Sequence, residues 1–234
     1  RQALEEIGLP LVNALGTVDV LSCAGASTCN PGICLSRNLA AEIAQTLGAA
    51  RLPQEVLGEL DVRVSGCPNA CGQHPIASIG LHGLARRCAG RPAPHYRVLL
   101  GGRTREGGTR LGQEAGVVPA SRVPELLHTF ATGYVASRHQ GETLHEFLDR
   151  RGRRDMEALI QEREDILPED EAPDLYVDVR TSESFSLAGL GAGECGAGVR
   201  DLIESDIEEA GRYLRRAQRR LHGDDSDDAA DDCK

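Results

Sequence analysis

The sequence contains two short segments in which cysteines lie close together, CAGASTC at residues 23–29 and SGCPNACGQ at residues 65–73. Five residues separate the cysteines of the first segment, and three separate those of the second. Four thiolates in two pairs are sufficient to bind an inorganic centre.

The spacing of these four cysteines allows more than one kind of centre. Structural zinc sites commonly use pairs separated by about two to four residues, which fits the second pair better than the first. An iron–sulfur cluster tolerates a wider loop because its ligands bind different iron atoms. The chain has eight cysteines in all, and disulfides are the third alternative. The spacing favours an iron–sulfur cluster and leaves zinc open.

Each cysteine pair is predicted to follow a β-strand. Residues 18–22 read as one strand, and the alternating apolar residues at 60–64 indicate a second. Between them, Ser36 is predicted to cap a helix that Gly48 ends. The apolar face of this helix consists of Leu39, Ile43 and Leu47. The first cysteine pair is therefore expected on a strand-to-helix loop.

The remaining sequence predicts further strands and then helices. Strands are expected at residues 76–81 and 96–100, and a short one after the linker at 176–179. Ser121 is predicted to cap one helix, and Thr143 with Glu146 forms the capping box of another. This order predicts an α+β fold, with a mixed sheet, flanking helices and a C-terminal helical extension.

Composition and charge exclude several functions. A hydrophobic content of 40% is enough for a core, and the formal net charge of −10 argues against binding to nucleic acid or to an anionic membrane surface. No apolar run is long enough to span a bilayer. No secretory leader is visible, so the cysteines are expected to be reduced and the protein cytoplasmic.

The chain is expected to be a fragment or a split subunit, because it begins with Arg1 and its first residues read as the middle of a folded unit. Residues 1–17 are predicted to end a preceding ferredoxin-like half-domain, and residues 18–155 to form the main domain. An acidic linker is expected at 156–174, a helical extension at 175–222 and a disordered acidic tail at 223–234.

The residues around the cysteines resemble a known family. The segments CAGASTCNPGICLSRNLAAEI (23–43), VRVSGCPNACGQHPIASIGLHG (62–83) and YRVLLGG (96–102) are similar to the C-terminal half of the sirohaem-dependent nitrite and sulfite reductases. Both cysteine motifs match that family in spacing and order. The resemblance covers roughly residues 1–150.

The resemblance implies roles for particular residues. Cys23, Cys29, Cys67 and Cys71 would be the ligands of a 4Fe-4S cluster. Cys71 would also be the axial thiolate of the sirohaem iron, so that one sulfur joins the two cofactors. Asn69 matches a position that lies against this coupled centre.

The resemblance further implies an oxidoreductase that catalyses the six-electron reduction of sulfite to sulfide or of nitrite to ammonia, with electrons from ferredoxin or a flavoprotein. The family's substrate-binding cations lie mainly in the N-terminal half, so this fragment is expected to be inactive without that half. Two alternatives remain open, an electron-transfer or accessory subunit that holds a cluster without sirohaem, and a zinc-stabilised binding module.

Other residues have simpler interpretations. Cys34 is predicted to be a small buried residue at the start of the helix, and Cys88 a free thiol in a basic loop. His74 and His82 are predicted to be hydrogen-bonded structural histidines. Six arginines are candidates for neutralising haem carboxylates: Arg37, Arg63, Arg86, Arg87, Arg91 and Arg103.

Overall fold

Five strands form a mixed sheet in which each strand pairs with its neighbours in chain order. The computed structural model describes residues 18–88, 90–104, 108–190, 207–215 and 218. The strands are β1 (Asp19–Ser22), β2 (Asp61–Ser65), β3 (Ile79–Cys88), β4 (Arg91–Leu100) and β5 (Gln113–Pro119).

The direction of the strands determines which loops meet. Strands β1, β2 and β3 are parallel, and β3, β4 and β5 are antiparallel. Ser22 at the end of β1 is in register with Val64 of β2. The segments that follow β1 and β2 therefore leave the same edge of the sheet, side by side.

Helices flank this sheet. They are α1 (Ser36–Ala49), α2 (Gln54–Glu59), α3 (Val123–Ser137), α4 (Leu144–Phe147) and α5 (Arg153–Gln161). A π-helical turn at Leu148–Gly152 joins α4 to α5. Residues 207–215 are also helical. The predicted α+β fold with a mixed sheet and flanking helices is confirmed.

The core lies between α1, α3 and one face of the sheet. The face of α1 predicted from its apolar spacing is buried at Leu39, Ile43 and Leu47. It packs with the inward side chains of the strands, because alternate residues of a strand point to the same face. These include Val62, Val64, Leu81, Tyr96 and Val98.

Two predicted helix caps are wrong and one is confirmed. Ser36 is the first residue of α1, and its hydroxyl donates a hydrogen bond to the carbonyl oxygen of Cys23 over 3.0 Å. Ser121 lies in a short 3-10 turn before α3 and caps nothing. Thr143 and Glu146 form the capping box at α4. The sequence predicts that the Ser36 hydroxyl bonds to a backbone amide of its own helix. It bonds instead to Cys23, which is distant in the sequence.

The strand predictions differ from the structure in two places. Strand β5 was not predicted, because its sequence QEAGVVP begins with polar residues and contains a glycine. The strand predicted at residues 176–179 is absent, since Pro173–Tyr176 form a 3-10 turn and Val177 makes only an isolated bridge with Ser184.

Residues 166–180, which include parts of the predicted linker and extension, pack against the sheet and α1. Tyr176 is 1% exposed, and its hydroxyl donates to the carbonyl oxygen of Leu167 over 2.9 Å. A carboxylate oxygen of Asp178 accepts a hydrogen bond from the amide of Leu35 over 2.7 Å. The predicted domain boundaries remain predictions.

The predictions for residues 1–17 and 219–234, and for most of the last helix, lie outside the described residues. Within the described part of the chain, none of the helices is both long and apolar enough to cross a membrane.

Candidate metal centre

The two cysteine segments meet because β1 and β2 are parallel neighbours. Cys23 directly follows β1, and Cys67 comes two residues after the end of β2. The amide of Cys23 donates a hydrogen bond to the carbonyl oxygen of Val64 over 3.0 Å, which extends the pairing by one residue. The topology thus brings the first cysteine of each pair to the same edge of the sheet.

The first loop is closed by short-range hydrogen bonds and by an arginine. The amide of Cys29 donates to the carbonyl oxygen of Gly25 over 3.0 Å. The guanidinium of Arg37, in the first turn of α1, donates to the carbonyl oxygen of Ala24 over 3.1 Å and to the hydroxyl of Thr28 over 3.0 Å. Arg37 therefore fixes the loop between the two cysteines.

Gly66 joins the second loop to the first. Its amide donates a hydrogen bond to the Sγ atom of Cys23 over 3.1 Å. Its carbonyl oxygen accepts from the amides of Ile33 and Cys34 over 3.0 and 2.9 Å. A Cβ atom at this position would lie 2.6 Å from the carbonyl oxygen of Cys34, so a residue without a side chain is required.

The second loop is fixed by a buried serine. The hydroxyl oxygen of Ser65 accepts a hydrogen bond from the amide of Gly72 over 3.1 Å and lies 2.8 Å from Nδ1 of His74. Ala70 and Gln73, on either side of Cys71 and Gly72, have left-handed backbones with φ of 58° and 61°. The loop around Cys71 is thus held in one sharply turned conformation.

The four thiols differ in exposure. Cys67 is 6% exposed, Cys23 and Cys29 are half-buried, and Cys71 is exposed. Asn69 lies between the two cysteines of the second pair, and its carbonyl oxygen is 3.9 Å from the Sγ atom of Cys71. The centre is therefore closed on the side of Cys67 and open on the side of Cys71.

The other three thiols affect the pKa of the Cys67 thiol. Burial raises the pKa of the Cys67 thiol, and a backbone hydrogen bond with Asn69 lowers it. The remaining contributions, which raise this pKa, come from Cys23, Cys29 and Cys71. The fold therefore brings together all four cysteines that the sequence proposed as ligands; their metal binding remains a prediction.

In the part of the chain that the structure describes, no three His, Cys, Asp or Glu side chains are arranged to hold a single metal ion. The four thiols are close enough to influence one another, yet they do not surround one common point.

The buried residues around the centre match their predicted character in most cases. Cys34 is fully buried, with its thiol 3.6 Å from the carbonyl oxygens of Leu84 and His95. His74 is buried and bonded to Ser65 as described. Cys88 ends strand β3 and is buried beside Ile166, so its predicted place in a loop is wrong.

Four of the six candidate haem arginines, besides Arg37, make contacts with protein groups. Arg63 pairs with Asp19 and Asp61, and Arg86 is buried against Glu208. Arg91 pairs with Glu169, and the guanidinium of Arg103 donates to the carbonyl oxygen of Gly108 over 2.7 Å. In the described part of the chain, these four arginines therefore bind carboxylate or carbonyl oxygens of the protein itself.

Sequence reasoning missed three groups that hold the cysteine loops: the amide of Gly66 and the hydroxyl of Ser36, which contact Cys23, and the hydroxyl of Ser65, which bonds to Gly72 and His74. The Ser36 oxygen lies 3.3 Å from the Sγ atom of Cys23. The position of Gly66 directly before Cys67 was the one available signal, since a glycine beside a ligand permits close approach of the backbone.

Comparison with known proteins finds sequence similarity to two kinds of reductase. Over 89 residues the chain is 38% identical to a ferredoxin–nitrite reductase of Synechococcus elongatus, across 38% of this chain and 16% of the relative. Over 137 residues it is 31% identical to a sulfite reductase (NADPH) hemoprotein beta-component of a Methylobacterium species, across 56% of this chain and 21% of the relative. This chain is related to the nitrite and sulfite reductases. The resemblance found in the cysteine segments is thereby confirmed.

A solved structure has a similar fold. The NirA protein of Mycobacterium tuberculosis matches with a TM-score of 0.54 and 22% identity, over 66% of this chain and 29% of the NirA chain. At this identity the match supports the fold alone. No protein-family model matches the chain. The chain spans about a fifth of the length of the two reductase relatives, with 16% and 21% covered.

Proposed function

We propose that this chain forms the part of a nitrite or sulfite reductase that holds a 4Fe-4S cluster and presents it to a sirohaem. In this proposal Cys23, Cys29, Cys67 and Cys71 are the cluster ligands. Cys71 is also the axial ligand of the sirohaem iron, and Asn69 lies against the coupled centre. The observation that carries the proposal is the convergence of the four thiols beside the ends of β1 and β2.

The donor set fits an iron–sulfur cluster. Soft thiolates are the ligands that such clusters use, and ligands of a multi-iron cluster stand further apart than those of one ion. The other three thiols all contribute to the raised pKa of the Cys67 thiol, as neighbouring ligands of one cluster would. The sulfur of Cys23 accepts a hydrogen bond from Gly66, and Asn69 makes a backbone hydrogen bond to Cys67. Hydrogen bonds to ligand sulfurs are a means by which proteins tune these clusters.

The exposure of the cysteines supports the separate role of Cys71. Cys67 lies in the protein interior, whereas Cys71 reaches the surface of the described chain. A ligand that also binds a second cofactor needs an open side, and Cys71 has one. The buried hydroxyl of Ser65 and the left-handed residues Ala70 and Gln73 hold this thiol in place.

When bound, the two cofactors supply electron storage and an iron atom that binds the substrate anion. The chain supplies the ligands, the hydrogen bonds and the burial. Strand ends β1 and β2 fix the distance between the two cysteine pairs. The apolar residues Ile33 and Val64, buried next to the loops, keep water from the inner side of the centre.

The whole enzyme is proposed to reduce sulfite to sulfide or nitrite to ammonia in the cytoplasm, with ferredoxin or a flavoprotein as the electron donor. The printed names of the relatives include both a ferredoxin-dependent nitrite reductase and an NADPH sulfite reductase component. We further propose that residues 18–155 form the cofactor-binding domain and that residues 175–222 form an extension to it.

The test is the absorption spectrum of the full-length protein, purified without oxygen. Sirohaem bands together with cluster absorption would support the proposal. Cluster absorption alone would assign the protein as an electron-transfer or accessory subunit, and a colourless zinc protein would assign it as a binding module. Turnover with nitrite and with sulfite in parallel then identifies the substrate.

A further inference from the structure

Two hydrogen-bonding groups converge on the sulfur of Cys23. The amide of Gly66 donates to the Sγ atom over 3.1 Å, and the hydroxyl oxygen of Ser36 lies 3.3 Å from the same atom. Ser36 is 0% exposed, so solvent does not compete for its hydroxyl. In so dry an environment a hydrogen bond is electrostatically stronger than in water.

The direction of the Ser36 contact depends on the state of Cys23. A neutral thiol can donate its proton to the serine oxygen, while the serine hydroxyl donates to the carbonyl oxygen of Cys23, 3.0 Å away. A thiolate bound to iron has no proton and can only accept. Iron binding therefore favours an O–H···S hydrogen bond from Ser36, and a charged acceptor strengthens such a bond.

Among the described residues, the Ser36 hydroxyl bonds only to Cys23. Helix α1 begins at Ser36, and its N-cap residue is Leu35, whose side chain makes no capping hydrogen bond. Both contacts of the hydroxyl are to atoms of Cys23. Removal of this hydroxyl therefore leaves the hydrogen bonds of α1 intact and changes the environment of one proposed ligand.

We infer that Ser36 is a positioning residue that raises the reduction potential of the cluster through Cys23. This inference rests on the proposed function, because it takes Cys23 as a cluster ligand. A hydrogen bond to a ligand sulfur stabilises the additional negative charge of the reduced cluster, and hydrogen bonding to the sulfurs is one of the factors that set cluster potentials. Ser36 makes the reduced state easier to reach.

The test is a redox titration of the full-length protein, with the reduced cluster followed by electron paramagnetic resonance. At the wild-type midpoint, Ser36→Ala is expected to raise the ratio of oxidised to reduced cluster by roughly three- to tenfold, the upper value being a shift of about 59 mV for one electron. Ser27→Ala is the matched control, because its exposed hydroxyl donates to the carbonyl oxygen of Ala24 in the same loop. It is expected to keep the wild-type midpoint.

Ser36→Thr retains a hydroxyl and is also expected to keep the wild-type midpoint. An unchanged midpoint in Ser36→Ala overturns the inference and leaves the proposed function standing. A Ser36→Thr shift as large as that of Ser36→Ala overturns it as well, because the hydroxyl is then not the cause. If Ser36→Ala is the one variant that loses the cluster, the serine is needed for cluster assembly, and the inference about the reduction potential is overturned. A wild-type protein without a cluster overturns both proposals.

Discussion

The amide nitrogen of Gly66 lies 3.1 Å from the Sγ atom of Cys23 and donates a hydrogen bond to it. Gly66 precedes Cys67 directly, so this bond connects the two cysteine segments across 43 residues of sequence. The bond requires that the backbone of the second loop lie against the first loop. This contact holds the loops of the two cysteine pairs against each other in the folded chain.

Replacement of Gly66 by alanine is expected to disrupt this contact. The new Cβ atom would lie 2.6 Å from the carbonyl oxygen of Cys34 and 2.8 Å from the Cα atom of Gly25, both backbone atoms that cannot rotate away. We expect a loss of about 1–3 kcal/mol in the free energy of unfolding, the usual cost of overpacking. Denaturant titration measures this loss, and iron analysis measures the accompanying loss of cluster.

Gly48→Ala is the matched control for this variant. Gly48 lies in α1, and a Cβ atom there would meet nothing within 4 Å. Alanine in a helix is favoured over glycine by about 0.5–1 kcal/mol, so this variant is expected to be as stable as the wild type or more so. Equal losses in both variants would show that the crowding at Gly66 is not the cause.

Ser65→Ala is expected to loosen the loop that carries Cys71. The amide of Gly72 and the Nδ1 atom of His74 would both lose their hydrogen-bond partner in the interior. A buried group left without a partner costs about 1–3 kcal/mol, and we expect a loss of this size in unfolding experiments. Alkylation of Cys71 in the metal-free protein should also become faster, whereas an unchanged rate and stability would contradict the role of Ser65.

The stability of the metal-free protein is expected to fall in acid because of its buried histidines. Burial lowers the pKa of His74 to about 4 and those of His82 and His95 to about 3. The unfolded chain protonates histidine near pH 6.5, so below about that pH the unfolded state binds more protons than the folded state. The free energy of unfolding is therefore unaffected by these histidines above about pH 6.5, and it falls as the pH is lowered through about 4 towards about 3.

Denaturant titrations over this pH range measure the effect. Each histidine contributes up to about 1.4 kcal/mol per pH unit to the slope of the unfolding free energy. His82→Phe removes one titrating group and should reduce the slope by up to that amount, whatever its effect on absolute stability. The same slope in the variant and the wild type would contradict the burial of a neutral His82.

Local sequence patterns predicted the elements that carry the site. The apolar spacing of Leu39, Ile43 and Leu47 identified α1, and the alternation in LDVRV identified β2. The cysteine motifs identified the four thiols that the fold brings together. These features depend on neighbours in the chain, so the sequence alone was sufficient.

Features that depend on distant contacts were not predicted. The hydroxyl of Ser36 bonds to Cys23 because Cys23, at the end of β1, lies beside the start of α1. No pattern of neighbouring residues in the sequence predicts this contact. Tyr176 is buried in a turn instead of a strand, because tertiary packing determines whether a short apolar run pairs with a sheet. The Gly66 amide contact likewise exists only once β1 and β2 are paired.

The sulfur of Cys71 is the proposed junction between the cluster and the sirohaem, and its replacement tests the account most directly. The measurement compares the absorption and electron paramagnetic resonance spectra of three forms of the full-length protein, each purified without oxygen. They are the wild type, Cys71→Ser and Cys88→Ser. Cys88→Ser is the control, because the thiol of Cys88 lies beside Ile166. The account predicts haem and cluster signals in the wild type and in the control, and a change in both signals in Cys71→Ser. An intact haem axial ligation in Cys71→Ser, or a wild-type protein without either cofactor, would contradict it.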